Sequence, residues 1–327
     1  MKKLFQQFSN LNILVIGDVM MDSYLWGNVD RISPEAPVPV ISVQRKENRL
    51  GGAANVALNI QALGANPIIC AVIGDDLEGD EFIRLMEAQN LSSEGLLRLT
   101  SRPTTVKTRV IGHHQQMLRI DAEVDRDISQ TETVDLLSRI LLIIDEKKID
   151  AIIFEDYDKG AITEDLIDKV VLKAKQRNII TVVDPKKRNF LRYKGVTLFK
   201  PNLKELREGL KIDVNLKNPG ELETAVAKLQ QVLNAEKVMV TLSEHGVFMQ
   251  SAAGHQIIPA HIRNIADVSG AGDTVISTAA LCLAAGLDDF KTAAIANLAG
   301  GLVCEHVGVV PIDLNQLSKE ANSLFVD

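Results

Sequence analysis

Apolar positions follow two rhythms along this chain. Five short runs are nearly continuous in aliphatic and β-branched residues: 13–17 (ILVIG), 68–74 (IICAVIG), 151–155 (AIIFE), 179–184 (IITVVD) and 238–242 (VMVTL). Runs of this length predict strands covered on both faces, as in a parallel sheet. Between them the pattern turns helical, over 53–63, 79–89, 132–146, 163–176 and 221–233. Thr163, followed by Glu164 and Asp165, supplies an N-cap and an acidic first turn. Strand–helix alternation of this kind predicts a three-layer α/β/α domain with a mainly parallel central sheet.

Two segments break the alternation. Residues 36–43 (APVPVISV) are extended but punctuated by proline, which confines them to an edge or irregular strand. Residues 104–121 alternate like paired strands around a Gly112-His113 turn. Together they predict a small β lid, formed by about 33–45 and 104–120, on a single domain spanning the chain. Internal repeats, low-complexity tracts and long linkers are absent from the sequence.

Composition narrows the function classes. With 327 residues, 46 % of them hydrophobic, the chain can bury a large core. A net charge of −7 leaves no broad basic field for nucleic acid or an anionic membrane, so neither is expected as a partner. A phosphorylated ligand must then be held by local groups. No uncharged apolar run approaches the ~20 residues of a membrane span, and the N-terminal MKKLFQQFSNLN lacks the apolar core of a signal peptide. Cys70, Cys282 and Cys304 lie far apart in apolar runs, without CxxC or HExxH, and read as buried small hydrophobes in a reducing cytoplasm.

The candidate chemistry begins with what is missing. No Gly-Lys dipeptide occurs, which excludes a Walker P-loop, and neither GxGxxG nor GxSxG is present. Instead IADVSGAGDTV (265–275) runs into the small-residue stretch ISTAALCLAAG. Gly270, Ala271 and Gly272 leave main-chain N–H groups bare at a helix start, an anion site without lysine. Asp273 follows directly. A carboxylate beside an anion site makes sense if it faces an attacking hydroxyl, orienting it and accepting its proton. The plain alternative is an acid that stabilises the first helical turn. The helix dipole is expected to lower the pKa of this carboxyl and weaken it as a base.

Other elements admit two readings each. Gly51 and Gly52 lead into a helix with Asn55 in its first turn, suiting either ligand contact or close helix–sheet packing. In GDVMMDSY, Asp18 and Asp22 follow the apolar run at its carboxyl end, the edge where open α/β sheets bind ligands, with a solvated loop as the plainer reading. Two carboxylates there suit vicinal hydroxyls of a sugar, or are solvated acids. Asn202 and Glu205 in PNLKEL form a capping box, and Glu205 is placed to hold water around Mg²⁺. VTLSEHGVF reads as a nucleotide-facing turn at 243–246 or a plain hairpin. Lys107, Arg109, Arg119, Lys159 and Lys186 are candidates for a substrate phosphate, most of them solvated.

In order, GGAANVALNIQALGA, NLKE and DVSGAGDTVIS resemble the ribokinase-like (phosphofructokinase-B) sugar kinases over nearly the whole chain. The resemblance implies Asp273 as catalytic base, Gly270, Ala271 and Gly272 as the anion hole, and ATP, Mg²⁺ and a monovalent cation as cofactors. GDVMMDSYLWG, RISPEAPVPV, DYDKG and VTLSEHG narrow it to the heptose 7-phosphate kinases, which form one half of bifunctional kinase/adenylyltransferases. This implies a sugar held by Asp18, Asp22, Gly51, Gly52 and Asn55, with Lys107 and Arg119 nearby. Asn202, Glu205, Thr241, Ser243, Gly246 and Asn297 are expected on the ATP side. Ser269, Thr278 and Ser243 depart from the broader family, the last in keeping with the heptose subgroup. A nucleotidyltransferase His-x-Gly-His is missing up to Asp327, so no adenylyltransferase domain is expected. The apolar 37–41 edge and the resemblance together imply a homodimer through the lid. A kinase for another sugar, and a non-catalytic sugar- or nucleotide-binding regulator, are the rival readings.

Overall fold

In the computed structural model, residues 2–112, 115–218 and 220–325 are described. The strands are β1 (Asn12–Gly17), β2 (Val19–Ile32), β3 (Pro39–Gly52), β4 (Asn66–Gly74), β5 (Leu96–Leu99), β6 (Val106–Gly112), β7 (Gln115–Ala122), β8 (Ala151–Glu155), β9 (Ile180–Asp184), β10 (Leu198–Phe199), β11 (Lys237–Thr241), β12 (Val247–Ser251) and β13 (Gly254–Ile258). The helices are α1 (Lys2–Gln7), α2 (Ala53–Ala62), α3 (Leu77–Ala88), α4 (Gln130–Glu146), α5 (Glu164–Arg177), α6 (Leu203–Leu210), α7 (Glu221–Leu233), α8 (Ala271–Ala284), α9 (Asp289–Val303) and α10 (Leu314–Leu324).

Nine strands form the central sheet in the order β13-β12-β11-β10-β9-β8-β1-β4-β5 among the described residues. Pairing is parallel from β5 to β11 and antiparallel for β12 and β13. The period of two divides each strand between two cores. Ile13 and Val15 of β1, Ile153 of β8, Val182 of β9 and Met239 of β11 pack with α2, α8 and α9. Leu14, Ile16, Phe154, Val183 and Val240 pack on the opposite face with α4, α5 and α7. This is the expected three-layer arrangement.

The same alternation determines what stands at the carboxyl edge. Continuing the α8-facing set by two residues brings Glu155 to the end of β8, Asp184 to the end of β9 and Lys200 just past β10. Glu155 and Asp184 are register partners, and the Lys200 amide donates to Val183. Chain order reverses between β1 and β8, which places the switch-point crevice at this edge.

A second sheet, in the order β3-β2-β6-β7, forms the lid. Its extent corrects the expectation. GDVMMDSY is not a loop: β2 runs for 14 residues straight out of β1, pairing antiparallel with β3 and parallel with β6. The lid therefore uses 19–32 and 39–52, with 33–38 as the bend, rather than 33–45 alone. The expected turn at Gly112 and His113 extends outside the described residues. Cys70, Cys282 and Cys304 are buried free thiols, as expected. Among the described residues no helix is long and apolar enough to cross a membrane.

Candidate active site

The glycine turn opens α8 as the spacing predicts. Gly270 is the N-cap residue with φ +78° and no side-chain cap. A Cβ there would also lie 3.1 Å from Val309 and 3.2 Å from the Asn55 amide, so conformation and crowding both require glycine. No side chain caps the first turn; the Ala271 amide donates weakly to the Val268 carbonyl at 3.3 Å, a bond that an anion at the turn can replace.

Asp273 lies in the first turn of α8, 8 % exposed. Both of its carboxylate oxygens are held: Asn55 donates to Oδ2 at 2.5 Å and the Tyr157 hydroxyl donates to Oδ1 at 3.0 Å. Contrary to the helix-dipole argument, its pKa is raised, to about 6. Burial is the main cause; the Asn55 bond opposes it and the Asp184 charge adds to it. Desolvation of a carboxylate exceeds the pull of a helix terminus, and the acid becomes a better base than an exposed aspartate.

Beneath Asp273 lies a charged floor that the sequence motifs did not single out. Lys200, 3 % exposed, donates to Asp184 at 2.7 Å. A Cβ on Gly272 would come within 3.8 Å of the Lys200 ammonium and 3.7 Å of Asp184, so this pair backs the anion-hole turn. Glu155 is 1 % exposed and its Oε2 has no partner in the structure. Burial, then the charges of Asp184 and Asp273, raise its pKa well above that of an ordinary glutamate.

The remaining expected residues fall into three places. Thr241, Ser243, Gly246, Ala271, Gly272 and Asn297 line one cavity of about 590 Å³ beside the glycine turn. Ser243 and Gly246 both adopt positive φ, at +53° and +89°, in a short 3-10 turn that joins β11 to β12. Asn297 donates to the Pro259 carbonyl. Asn202 bridges to Thr241, and Asn202 and Glu205 cap α6 reciprocally. Glu205 also accepts from Lys186 at 2.7 Å, and that ammonium lies 5.4 Å from the Tyr157 ring centre. Among the described residues no three His, Cys, Asp or Glu side chains are arranged as a metal cage. A Mg²⁺ ion carried mainly by phosphate and water needs only one or two carboxylates; those present here are Glu205 and Asp184, each paired with a lysine.

The sugar-side set is only partly as expected. Asp22 stands against Gly51 and pairs with Arg109 at 2.5 Å. Gly52 takes φ +60° where β3 turns into α2, which brings Asn55 to Asp273. Asp18 is different. Its carboxylate accepts the amides of Tyr157, Lys159 and Ala161 at 2.9–3.1 Å. It braces the turn that carries Tyr157, a structural role that stands beside the one expected toward a sugar hydroxyl. Lys107 and Arg119 turn toward Asp121, and Lys107 also toward Glu123. Arg109, weighed singly in the sequence, occupies the place beside Asp22. Tyr157 lies in DYDKG, where the sequence offered a subgroup motif but no role.

A model of the pfkB family carbohydrate kinases matches residues 10–315. The chain is 41 % identical over 317 residues to the bifunctional protein HldE of Desulfatibacillum aliphaticivorans, covering 96 % of this chain and 63 % of that protein. It is 36 % identical over 308 residues to the bifunctional protein HldE of Helicobacter pylori, covering 94 % and 65 %. The chain thus spans just under two thirds of the length of these relatives. Among solved structures, phosphofructokinase-2 from Escherichia coli in complex with potassium superposes with a TM-score of 0.78 at 17 % identity, over 96 % of this chain and 99 % of that one. Arabidopsis thaliana ribokinase complexed with ribose and ATP gives 0.72 at 16 %, over 94 % and 99 %. These two likenesses are of fold. The family match over most of the chain, joined to the relatives' identity, shows that the chain belongs to the pfkB family of carbohydrate kinases.

Proposed function

We propose that this chain is an ATP- and Mg²⁺-dependent kinase that phosphorylates D-glycero-β-D-manno-heptose 7-phosphate at C1, a step toward the ADP-heptose of lipopolysaccharide cores. One observation carries the catalytic part: a buried carboxyl with raised pKa, held at both oxygens, beside a helix start without a side-chain cap and a nucleotide-sized cavity. The heptose subgroup rests on the similarity to the HldE proteins.

In this reading the sugar C1 hydroxyl lies between Asp273 and the γ-phosphorus of ATP. Its oxygen forms the new P–O bond, the bond to the ADP oxygen breaks, and the proton passes to Asp273. The amides of Gly270, Ala271 and Gly272 stabilise charge on the migrating phosphoryl group. Asp22, Gly51, Gly52 and Asn55 hold the sugar, and Asn202, Glu205, Thr241, Ser243, Gly246 and Asn297 border the nucleotide. Bound Mg²⁺ supplies charge neutralisation between the phosphates. A monovalent cation is carried over from the phosphofructokinase-2 solved with potassium. The reading also takes the chain to be cytoplasmic and to form a homodimer through the lid, where Ile32, Val43, Leu118 and Ile120 are each at least half exposed. Gel filtration at the mass of one chain would refute the dimer.

Asp273→Asn is expected to reduce ATP-dependent phosphorylation by ~10²–10⁴-fold; undiminished turnover would remove Asp273 from its role. ATP consumption with heptose 7-phosphate, fructose 6-phosphate, ribose and adenosine tests the substrate. Preference for any but the first overturns the heptose assignment and leaves the kinase in place.

A further inference from the structure

One face of the lid carries an alternating row of arginines and aromatics. Cross-strand register sets Asp22 opposite Arg49, Trp26 opposite Arg45, and Tyr24 opposite Arg109. Partners in register share a face, so these side chains stand together. The guanidinium of Arg49 lies 5.0 Å from the Tyr24 ring centre and that of Arg109 lies 5.3 Å from it. Two cations thus flank one aromatic ring, which itself stacks on Trp26 at 5.3 Å. This face looks into the cleft: a Cβ on Gly308 would sit 3.4 Å from Arg49 Nη1, and the Gly308 amide donates to Asp267, which holds the Ser269 amide beside the glycine turn. Arg49 is 37 % exposed and Arg109 24 %, so both are reachable yet partly desolvated.

We propose that Arg49 and Arg109, their planes held by Tyr24, form the subsite for a phosphomonoester at the far end of the sugar. This rests on the reading above that the substrate is a sugar phosphate. Planar guanidinium forks match phosphate oxygens in pairs, and stacking on an aromatic ring limits the freedom they lose on binding. Arg109 already pairs with Asp22 and Arg49 with Glu47. Those carboxylates hold the forks in place and sharpen selectivity, because an uncharged sugar offers nothing to replace them.

The chain has a single tryptophan, and it lies in this cluster. Trp26 emission therefore reports the subsite directly. Titrating the wild-type chain with heptose 7-phosphate, fructose 6-phosphate, unphosphorylated heptose and inorganic phosphate should give saturable changes with the phosphorylated sugars. Their affinity should fall as salt rises, while that of unphosphorylated heptose should not. Arg49→Gln and Arg109→Gln should each weaken the sugar phosphate ~10–100-fold and leave the affinity for ATP unchanged; Arg49→Gln, which keeps the Asp22–Arg109 pair, should also leave the affinity for unphosphorylated heptose unchanged. Arg49→Lys and Arg109→Lys should restore part of the loss. Wild-type affinity for heptose 7-phosphate that is indifferent to salt, or unchanged in the glutamine variants, overturns the subsite while the kinase reading stands. Tight binding and turnover of neutral sugars with none of the phosphorylated ones overturns the heptose reading and the subsite with it.

Discussion

Asp273 shows how little of a residue's chemistry is local. Its place after a glycine turn suggests an acid made weaker as a base by the helix terminus, yet burial outweighs that effect. The rate at limiting substrate should accordingly fall about tenfold per pH unit below about 6, where Asp273 becomes protonated; a limb near pH 4 in the pH profile would show that water reaches this carboxyl in the working enzyme. Tyr157 acts through the same atom. Its hydroxyl bond lowers the pKa of Asp273, so Tyr157→Phe should move the acid limb to higher pH and reduce kcat ~3–10-fold, while the ring still stacks under Lys186. A pH profile coincident with wild type would mean that the bond is not made in the working enzyme. Gly270, Asn55 and Asp273 were legible as candidates because a glycine pair and small neighbours stand out. Tyr157, Glu155 and Lys200 were not, since a lone tyrosine or lysine after an apolar run looks the same in any α/β protein.

Between residue and molecule, the contact of α2 with α8 deserves the site's geometry as much as the motif does. A polar seam sets their register: Asn55 to Asp273, the Thr274 hydroxyl to Asn59 Oδ1 at 3.0 Å, and the Ser277 hydroxyl to the Val56 carbonyl at 3.2 Å. Asn59 Oδ1 also accepts the Ile312 amide. Asn59→Ala leaves the buried Ile312 amide unanswered and the Thr274 hydroxyl with only the Gly270 carbonyl, and should destabilise the fold by ~1–3 kcal/mol, with kcat reduced because Asn55 loses its register on Asp273. Urea unfolding checks the first part; a loss within error would mean that water replaces the seam. The helices of this seam were readable from spacing, but their pairing was not. β2 was missed for a related reason. VMMDSY carries no strand rhythm of its own, and it is β3 and β6 on either side that make it one.

For the molecule as a whole, the site works against stability. The pKa of Asp273 is about 6 in the fold against an ordinary 3.8, so the native state holds the proton more tightly. Stability is then lost as pH rises from about 4 to about 6, and the deficit persists above that. Asp273→Asn should stabilise the chain at pH 8 by at most about 3 kcal/mol and leave it nearly unchanged at pH 4. Thermal melting at the two pH values measures this; equal effects at both would show that charge burial is not the cause. Asp156, raised to about 6 by burial and then by Asp18, carries a similar strain in the turn behind the site.

By itself the sequence determined the layered α/β/α architecture, the existence of a lid, the glycine turn with its acid, and the family resemblance. These depend on periodicity and on conformations that few residues tolerate, both of which are written in local order. Only the tertiary structure decided that Asp18 braces a turn, that Arg109 rather than Lys107 or Arg119 meets Asp22, and that Glu155, Asp184 and Lys200 form a floor under Asp273. Those outcomes depend on which strands become neighbours and on how much water they exclude, and the partners come from separate elements, 87 residues apart for Asp22 and Arg109 and 143 for Asp18 and Ala161.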